Sequence, residues 1–198
     1  MYEKPMTKRQ LKSLKTKKKI YKTNLELCNK YGYDNVTIAD ICKAAGVSVG
    51  SFYNLFDSKD SLWLFYSDVE ESKIENVIHN LSEGTCSDRL KLLFIKKLEL
   101  ALKVSPDVAR ACRIAYLNGC VFDAHSPERL WFKSILKEIK CGQDTGEFRD
   151  DVDPKQIANM LLYASDSLNA IWGLSNGKED AFNMGKNFYD TLMTMLKK

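Results

Sequence analysis

Histidine is scarce in this sequence: His79 and His125 are the only two. Its six cysteines, Cys28, Cys42, Cys86, Cys112, Cys120 and Cys141, are widely and irregularly spaced. No C-x-x-C occurs and no Cys/His cluster has zinc-finger spacing, so no metal site is expected. The cysteines read as buried thiols of a reducing compartment. A redox or metal-sensing role for one or two of them is the alternative. A nucleophile elbow, a Walker loop, a dinucleotide fingerprint and H-E-x-x-H are all missing, and no nucleophile–base pair is evident. The sequence therefore predicts neither an enzyme nor a cofactor. No apolar run approaches the roughly 18 residues of a membrane span; the one around Leu161, Leu162 and Tyr163 is broken at Ser165 and Asp166. The basic N-terminus has no apolar segment behind it, so it does not read as a secretory signal. A cytoplasmic protein with no membrane partner is expected.

What is present is ordinary globular composition, with 44% hydrophobic and 28% charged residues among 198. That is enough to bury a core. The net charge of +4 hides an asymmetry. Residues 1–22 carry nine Lys/Arg against the single acid Glu3, which leaves the rest of the chain net acidic. A basic end on a mildly acidic body is the electrostatic footprint of a nucleic-acid binder.

The patterning is helical throughout, with no long β-branched alternation and no hairpin signal. A first helix is expected over about 15–31, stopped by Gly32. A second starts at Thr37, where Thr37 and Asp40 form a capping-box pattern. Ser48 caps a third, very short helix through Phe52 and Asn54. Ser58 caps a fourth beginning at Lys59 and running to about Leu81. Leu90, Leu93, Phe94 and Leu98 mark a fifth. Pro106, Pro127 and Pro154 are placed in the first turns of the sixth, seventh and eighth helices, where a missing N–H costs nothing. Ala181, Met184, Phe188, Leu192 and Met195 mark a ninth. The longest loop is expected between Leu117 and Ser126.

The informative segment is Thr37 to Phe56, TIADICKAAGVSVGSFYNLF. A helix of about eight residues, a turn at a glycine and a second short helix follow the helix-turn-helix plan. Gly46 supplies the tight reversal. Ile38, Ile41, Val47 and Phe52 lock the two helices together. Small residues at the start of the second helix let backbone approach DNA, and its first N–H groups favour phosphate.

This segment resembles the TetR/AcrR family of one-component transcriptional regulators, whose usual run is close to T-x-x-x-I-A-x-x-A-G-V-S-x-G-x-x-Y-x-x-F-x-x-K-x-x-L. The chain matches at Thr37, Ile41, Ala45, Gly46, Val47, Ser48, Gly50, Tyr53, Phe56, Lys59 and Leu62. The likeness covers about residues 15–66. A weaker one lies at Gly146-Glu147-Phe148-Arg149 and Val152-Asp153-Pro154. It implies an all-α fold of about nine helices. A three-helix homeodomain-like DNA-binding domain would occupy 1–62 (basic arm about 1–19, helix-turn-helix 37–56). A helical effector-binding and dimerisation domain would occupy 63–198.

The resemblance also implies residue roles. Thr37 contacts a phosphate through its hydroxyl and N–H. Ser48, Val49, Gly50 and Ser51 face the major groove. Tyr53 and Lys59 reach phosphates, and Asn54 a phosphate or a base edge. The basic arm follows the DNA backbone or enters the minor groove. This chain departs from the pattern at Val49, where many members carry Lys or another polar reader, and at Leu55, Thr23, Asn24 and Cys28. Base readout then rests on Ser51, on Val49 against a thymine methyl, and on DNA shape.

One short recognition helix reads too few base pairs to be specific, so a homodimer on a palindromic DNA operator is expected. The resemblance places its interface on the eighth and ninth helices, with Leu161, Leu168, Phe188 and Leu192 as candidates. A small-molecule effector, apolar or aromatic, would sit among Phe94, Leu98, Tyr116, Phe122, His125, Trp131, Tyr163, Asp166, Asn169 and Trp172, with Trp63 nearby. Asp166 and Asn169 either orient that ligand or hydrogen-bond across the dimer seam. The main reading is a repressor released by its effector. The alternatives are a redox-responsive regulator of the same fold, through Cys112 or Cys120, and a basic membrane-surface or scaffold protein.

Overall fold

The structure is a computed structural model that describes residues 6–63, 65, 74, 77, 78, 81, 83–117 and 126–198. Among these are eight helices: α1 (Lys8–Tyr31), α2 (Ile38–Ala45), α3 (Val49–Tyr53), α4 (Cys86–Ala101), α5 (Pro106–Leu117), α6 (Leu130–Asp144), α7 (Pro154–Leu174) and α8 (Ala181–Leu196). Between α3 and α4, residues 61–63, 65, 74, 77 and 78 are also helical. The only β pairing among the described residues is an isolated bridge between Phe148 and Lys197. No described helix is long and apolar enough to cross a membrane. The all-α architecture is therefore as expected.

Local chemistry sets most helix ends. Thr37 and Thr85 form reciprocal capping boxes with Asp40 and Asp88, so two otherwise unpaired N–H groups are satisfied at each start. Pro154 follows the N-cap Asp153 of α7. Gly32 ends α1 at φ +84°, a conformation that disfavours any side chain.

Three expected boundaries change. The first helix begins at Lys8 rather than near Lys15, because Thr7 and Gln10 make a capping box well upstream. Most of the expected basic arm is thus helix. Pro127 lies in a turn, and α6 starts only at Leu130, after Arg129 donates its N–H to the Ser126 carbonyl. Ser58 does cap its helix, exchanging bonds with Ser61 at 3.1 and 3.2 Å. That first turn closes with shorter-range bonds from Leu62 to Lys59 and from Trp63 to Asp60, so regular helix begins at Ser61.

Two cores form. One joins the N-terminal helices through Ile20, Ile41, Phe52 and Leu62 to Val108 and Ala111 of α5. The other fills the C-terminal bundle with Leu90, Phe94, Ile135, Leu161 and Tyr189. α5 therefore belongs to the bundle by sequence and to the N-terminal core by burial. Its N-terminus is tied to α1: Ser105 N–H donates to Asn29 Oδ1 at 2.9 Å, and Tyr33 N–H donates to Asp107.

The thiol expectation fails for one pair, since Cys86 and Cys141 are joined as a disulfide. Helix packing brings together two cysteines 55 residues apart, and no spacing rule exposes that. Cys28 and Cys42 are buried thiols and Cys112 a half-buried one. Burial pushes the Cys28 thiol up to about 11 and raises Cys42 and Cys112 as well. Cys120 lies outside the described residues.

Candidate nucleic-acid interface

The α2–turn–α3 unit is held from both ends. Gly46 adopts the left-handed conformation at φ +62°, and Val47 N–H returns to the Cys42 carbonyl at 3.0 Å. Ser48 caps α3 by accepting from Ser51 N–H at 3.0 Å, while the two hydroxyls lie 2.8 Å apart. Phe52, fully buried, packs on Phe56 with ring centres 5.6 Å apart. Phe56 in turn meets Phe65, and Phe65 meets Tyr21 of α1. This aromatic stack fixes the rotation of α3, because a five-residue helix has no stability of its own.

That rotation turns the candidate readers outward. Val49 and Tyr53 are 45% and 53% exposed, Ser48, Gly50 and Asn54 are exposed, and Ser51 is half-buried. An exposed valine beside an exposed tyrosine has no core to serve. Two other candidates are engaged internally. Thr37 directs both its N–H and its hydroxyl to the Asp40 carboxylate. These bonds hold the Asp40 carboxyl below the usual range. Lys59 lies 3.6 Å above the Tyr33 ring and donates to the Tyr33 carbonyl. Burial lowers its ammonium.

The helical course of α1 organises the basic segment in a way composition did not reveal. Lys8, Lys12, Lys15, Lys19 and Lys22 recur at alternating four- and three-residue steps, so they form one stripe. All five are exposed, opposite the buried Ile20, Asn24 and Cys28. Lys19 brings its ammonium beside Gly46, 3.7 Å from where a Cβ would stand. Lys17, off the stripe, lies 5.4 Å over the Phe56 ring. The stripe was the missed feature, and its signal was the seven-residue period of lysines in the sequence.

The candidate effector residues scatter. Phe94 and Leu98 are fully buried core, Phe94 stacking on Tyr189 at 5.6 Å. Tyr116 and Tyr163 lie on the surface. Asp166 faces Lys97 at 3.5 Å, and Lys97 lies 5.7 Å from the Trp131 ring centre. Asn169 donates to the Ala101 carbonyl at 2.7 Å, and Trp172 to the Val104 carbonyl at 3.2 Å. Asp166, Asn169 and Trp172 thus all serve contacts within the subunit. Trp63 is buried beside Tyr33. Phe122 and His125 lie outside the described residues.

Of the candidate interface residues, Leu161, Leu168 and Leu192 are buried in the subunit's own core, and Phe188 is half-buried beside Phe94. The exposed apolar residues of α7 are instead Met160, Tyr163 and Leu174, and those of α8 are Met184 and Met195.

Residues 20–64 match the family of bacterial regulatory proteins described as the tetR family. The chain is 21% identical over 177 residues to the A-factor receptor protein of Streptomyces griseus, covering 87% of this chain and 60% of that protein. It therefore spans about three fifths of that relative's length. It is 30% identical over 147 residues to the HTH-type transcriptional repressor DhaR of Mycobacterium sp. strain GP1, covering 66% of this chain and 69% of the repressor. A solved structure concerned with control of antibiotic production by bacterial hormones superposes with a TM-score of 0.70 at 17% identity, covering 93% of this chain and 99% of the other. With its helix-turn-helix in place and a repressor matched over two thirds of its own length, the chain belongs to the TetR family of bacterial transcriptional regulators, which are not enzymes.

Proposed function

We propose that the chain is a cytoplasmic, effector-responsive repressor that binds a palindromic operator as a homodimer. The observation that carries this reading is the split on α3, where Phe52 is fully buried while Val49 and Tyr53 stand in solvent. Ser48, Val49, Gly50 and Ser51 face the major groove, with Val49 and Ser51 nearest the base edges, while Tyr53 reaches a phosphate and Asn54 a phosphate or a base edge. Thr37 and Lys59 reach phosphates only after exchanging their internal partners. The lysine stripe of α1 adds affinity that does not depend on sequence.

Residues 1–62 serve as the reading head and 63–198 as the effector and dimerisation body. Exposed Met160, Tyr163, Ser167 and Leu174 fall on one stripe of α7, and Met184, Thr191 and Met195 on one stripe of α8. Packed against a second copy, these faces form a four-helix seam. The effector is a small apolar or aromatic molecule recognised around Trp131, where the Lys97–Asp166 pair offers a polar anchor. By binding one spacing of the heads better than the other, it shifts the population away from the operator.

The test is titration of purified protein against DNA from upstream of its own gene, with excess non-specific competitor. A discrete complex lost on Tyr53→Ala supports the reading. No complex with this DNA or in a genome-wide selection would reject it.

A further inference from the structure

The disulfide lies in a polar site built around it. Cys86 is the first residue of α4 and Cys141 sits in the last turn of α6, with Cα atoms 6.2 Å apart. Arg89, one turn along α4, spans both sulfurs: Nη2 donates to Cys86 Sγ at 3.2 Å and to Cys141 Sγ at 3.4 Å. Its Nε donates to Glu138 Oε2 at 2.8 Å, and its Nη1 to the Gly84 carbonyl at 2.6 Å. Glu138 is 4% exposed, so this ion pair is held out of water. Cys86 is equally buried, whereas Cys141 is partly open.

A fixed guanidinium against two sulfurs stabilises thiolate over thiol, and thiolate is the reactive form. At the other described cysteines burial wins: it raises Cys28 against the pull of Lys59, Cys112 against that of Arg113, and Cys42 as well. Both sulfurs and a Glu138 oxygen also lie within 4.8 Å of one another, which is ligand geometry for a metal ion. Arg89 already supplies the positive charge there, and a dication would be repelled by it.

We infer that Cys86 and Cys141 are a modification site, a dithiol that consumes hydroperoxides and closes to the disulfide seen here. The Cys141 thiolate attacks the terminal peroxide oxygen. An S–O bond forms, the O–O bond breaks, and the departing alkoxide takes up the proton the thiol released. The Cys86 thiolate then attacks the Cys141 sulfur. The S–S bond forms, the S–O bond breaks, and hydroxide leaves as water with the second thiol proton. Two thiols and one hydroperoxide become one disulfide, one alcohol and one water. A thiol reductant, with dithiothreitol as the probe, reverses the bond.

The location gives the bond a consequence, which rests on the regulator reading above. Thr85 and Cys86 stand where the chain coming from the reading head, helical at Ile74, Val77 and Ile78, turns into α4. Glu147 holds the same corner, accepting the Cys86 and Ser87 N–H groups at 2.9 Å each. Closing the disulfide pins this corner covalently to α6; opening it leaves the polar contacts and the apolar packing of Leu90 on α4 with Ile135 and Ile139 on α6. The bond thereby sets how firmly the chain leaving the head is held.

The experiment uses the full chain, reduced and desalted, then titrated with hydrogen peroxide. Thiols are counted with a dye, and peptides are mapped by mass spectrometry. Two thiols consumed per peroxide, recovered as a Cys86–Cys141 peptide, are expected. Cys141→Ser and Cys86→Ser should each abolish that peptide. The Arg89→Gln/Glu138→Gln double variant, which leaves no lone buried charge, should slow the reaction about tenfold and move its pH profile upward. Oxidised and reduced wild type should differ in operator affinity about fivefold or more, and Cys141→Ser should show no difference. A different cysteine pair, unchanged kinetics in the double variant, or stoichiometric zinc retained with no peroxide-dependent thiol loss would overturn the site. Equal affinity of both wild-type states would overturn its regulatory consequence. If neither state bound DNA while the thiols behaved as stated, the site would stand and the repressor reading would fall.

Discussion

The backbone N–H of Tyr33 donates to the side-chain carboxylate of Asp107, 74 residues away, joining the turn after α1 to the first turn of α5. Asp107 also pairs with Arg110, whose other arm reaches Asn176 Oδ1 beyond α7 at 3.2 Å. A continuous polar chain thus runs from the reading head to the end of α7. The hydroxyl of Tyr33 bonds to Asp60, and its carbonyl accepts from Lys59. One residue therefore gathers the turn before α2, the segment after α3 and the body.

Asp107→Ala is expected to cut this chain at its centre. Losing a charge-assisted bond to a backbone donor should cost about 1–3 kcal/mol. Hydrogen exchange at the Tyr33 amide should accelerate while α3 keeps its protection. Unchanged exchange at Tyr33 would mean the head is held by apolar packing of α5 alone.

Val49→Lys places a cation at this exposed position of α3. It should strengthen binding to any duplex and steepen the salt dependence by about one neutralised phosphate. Ser51→Ala should act differently, weakening the operator by about 1 kcal/mol and relaxing discrimination at one base pair. Filter binding at several salt concentrations separates the two effects.

Deleting residues 1–14 removes Lys8 and Lys12 from the α1 stripe, together with the Thr7–Gln10 cap. Affinity for operator and random DNA should fall alike. The slope of log affinity against log salt should flatten by about 0.9 for each phosphate those lysines neutralise. An unchanged slope would show that Lys8 and Lys12 do not contact the duplex.

Gly142→Ala is expected to destabilise the fold by about 1–3 kcal/mol. A Cβ there would stand 2.2 Å from the ring of Phe148, itself fully buried. At Gly146 a Cβ meets nothing within 4 Å, so Gly146→Ala should show only the strain of its φ of +75°, about 1 kcal/mol. Urea unfolding of both variants tests the order.

Acid should loosen two helix starts. Hydrogen bonds from Thr37 and Thr85 hold the Asp40 and Asp88 carboxyls below their ordinary value of 3.8. A carboxyl depressed in the folded state stabilises that state above its unfolded pKa and loses the effect as pH falls through its folded one. Unfolding followed from pH 6 down to pH 2 should therefore steepen below about pH 4. Asp88→Asn should flatten that limb; an unaltered limb would assign it to other carboxylates.

The helix-turn-helix was legible because its determinants are local. Thr37, Gly46 and Ser48 act on neighbours within five residues, and caps and turns need nothing further. The start of α1 at Lys8 was legible in principle, through the Thr7–Gln10 spacing, but the density of lysines masked it. The effector and interface candidates were much less legible. Hydrophobic periodicity marks Leu161 and Leu192 as facing something apolar, and the same pattern serves a core and a seam equally.

Residues close together in the chain set the helical class, the caps at Thr37 and Ser48, the reading unit and the basic bias of the first turns, and these could be read without the fold. Tertiary structure alone decided that α5 completes the N-terminal core, that Asp166 and Asn169 serve contacts within the subunit, and that Cys86 meets Cys141 beneath Arg89. Those outcomes depend on how helices far apart in sequence rotate and cross as they pack.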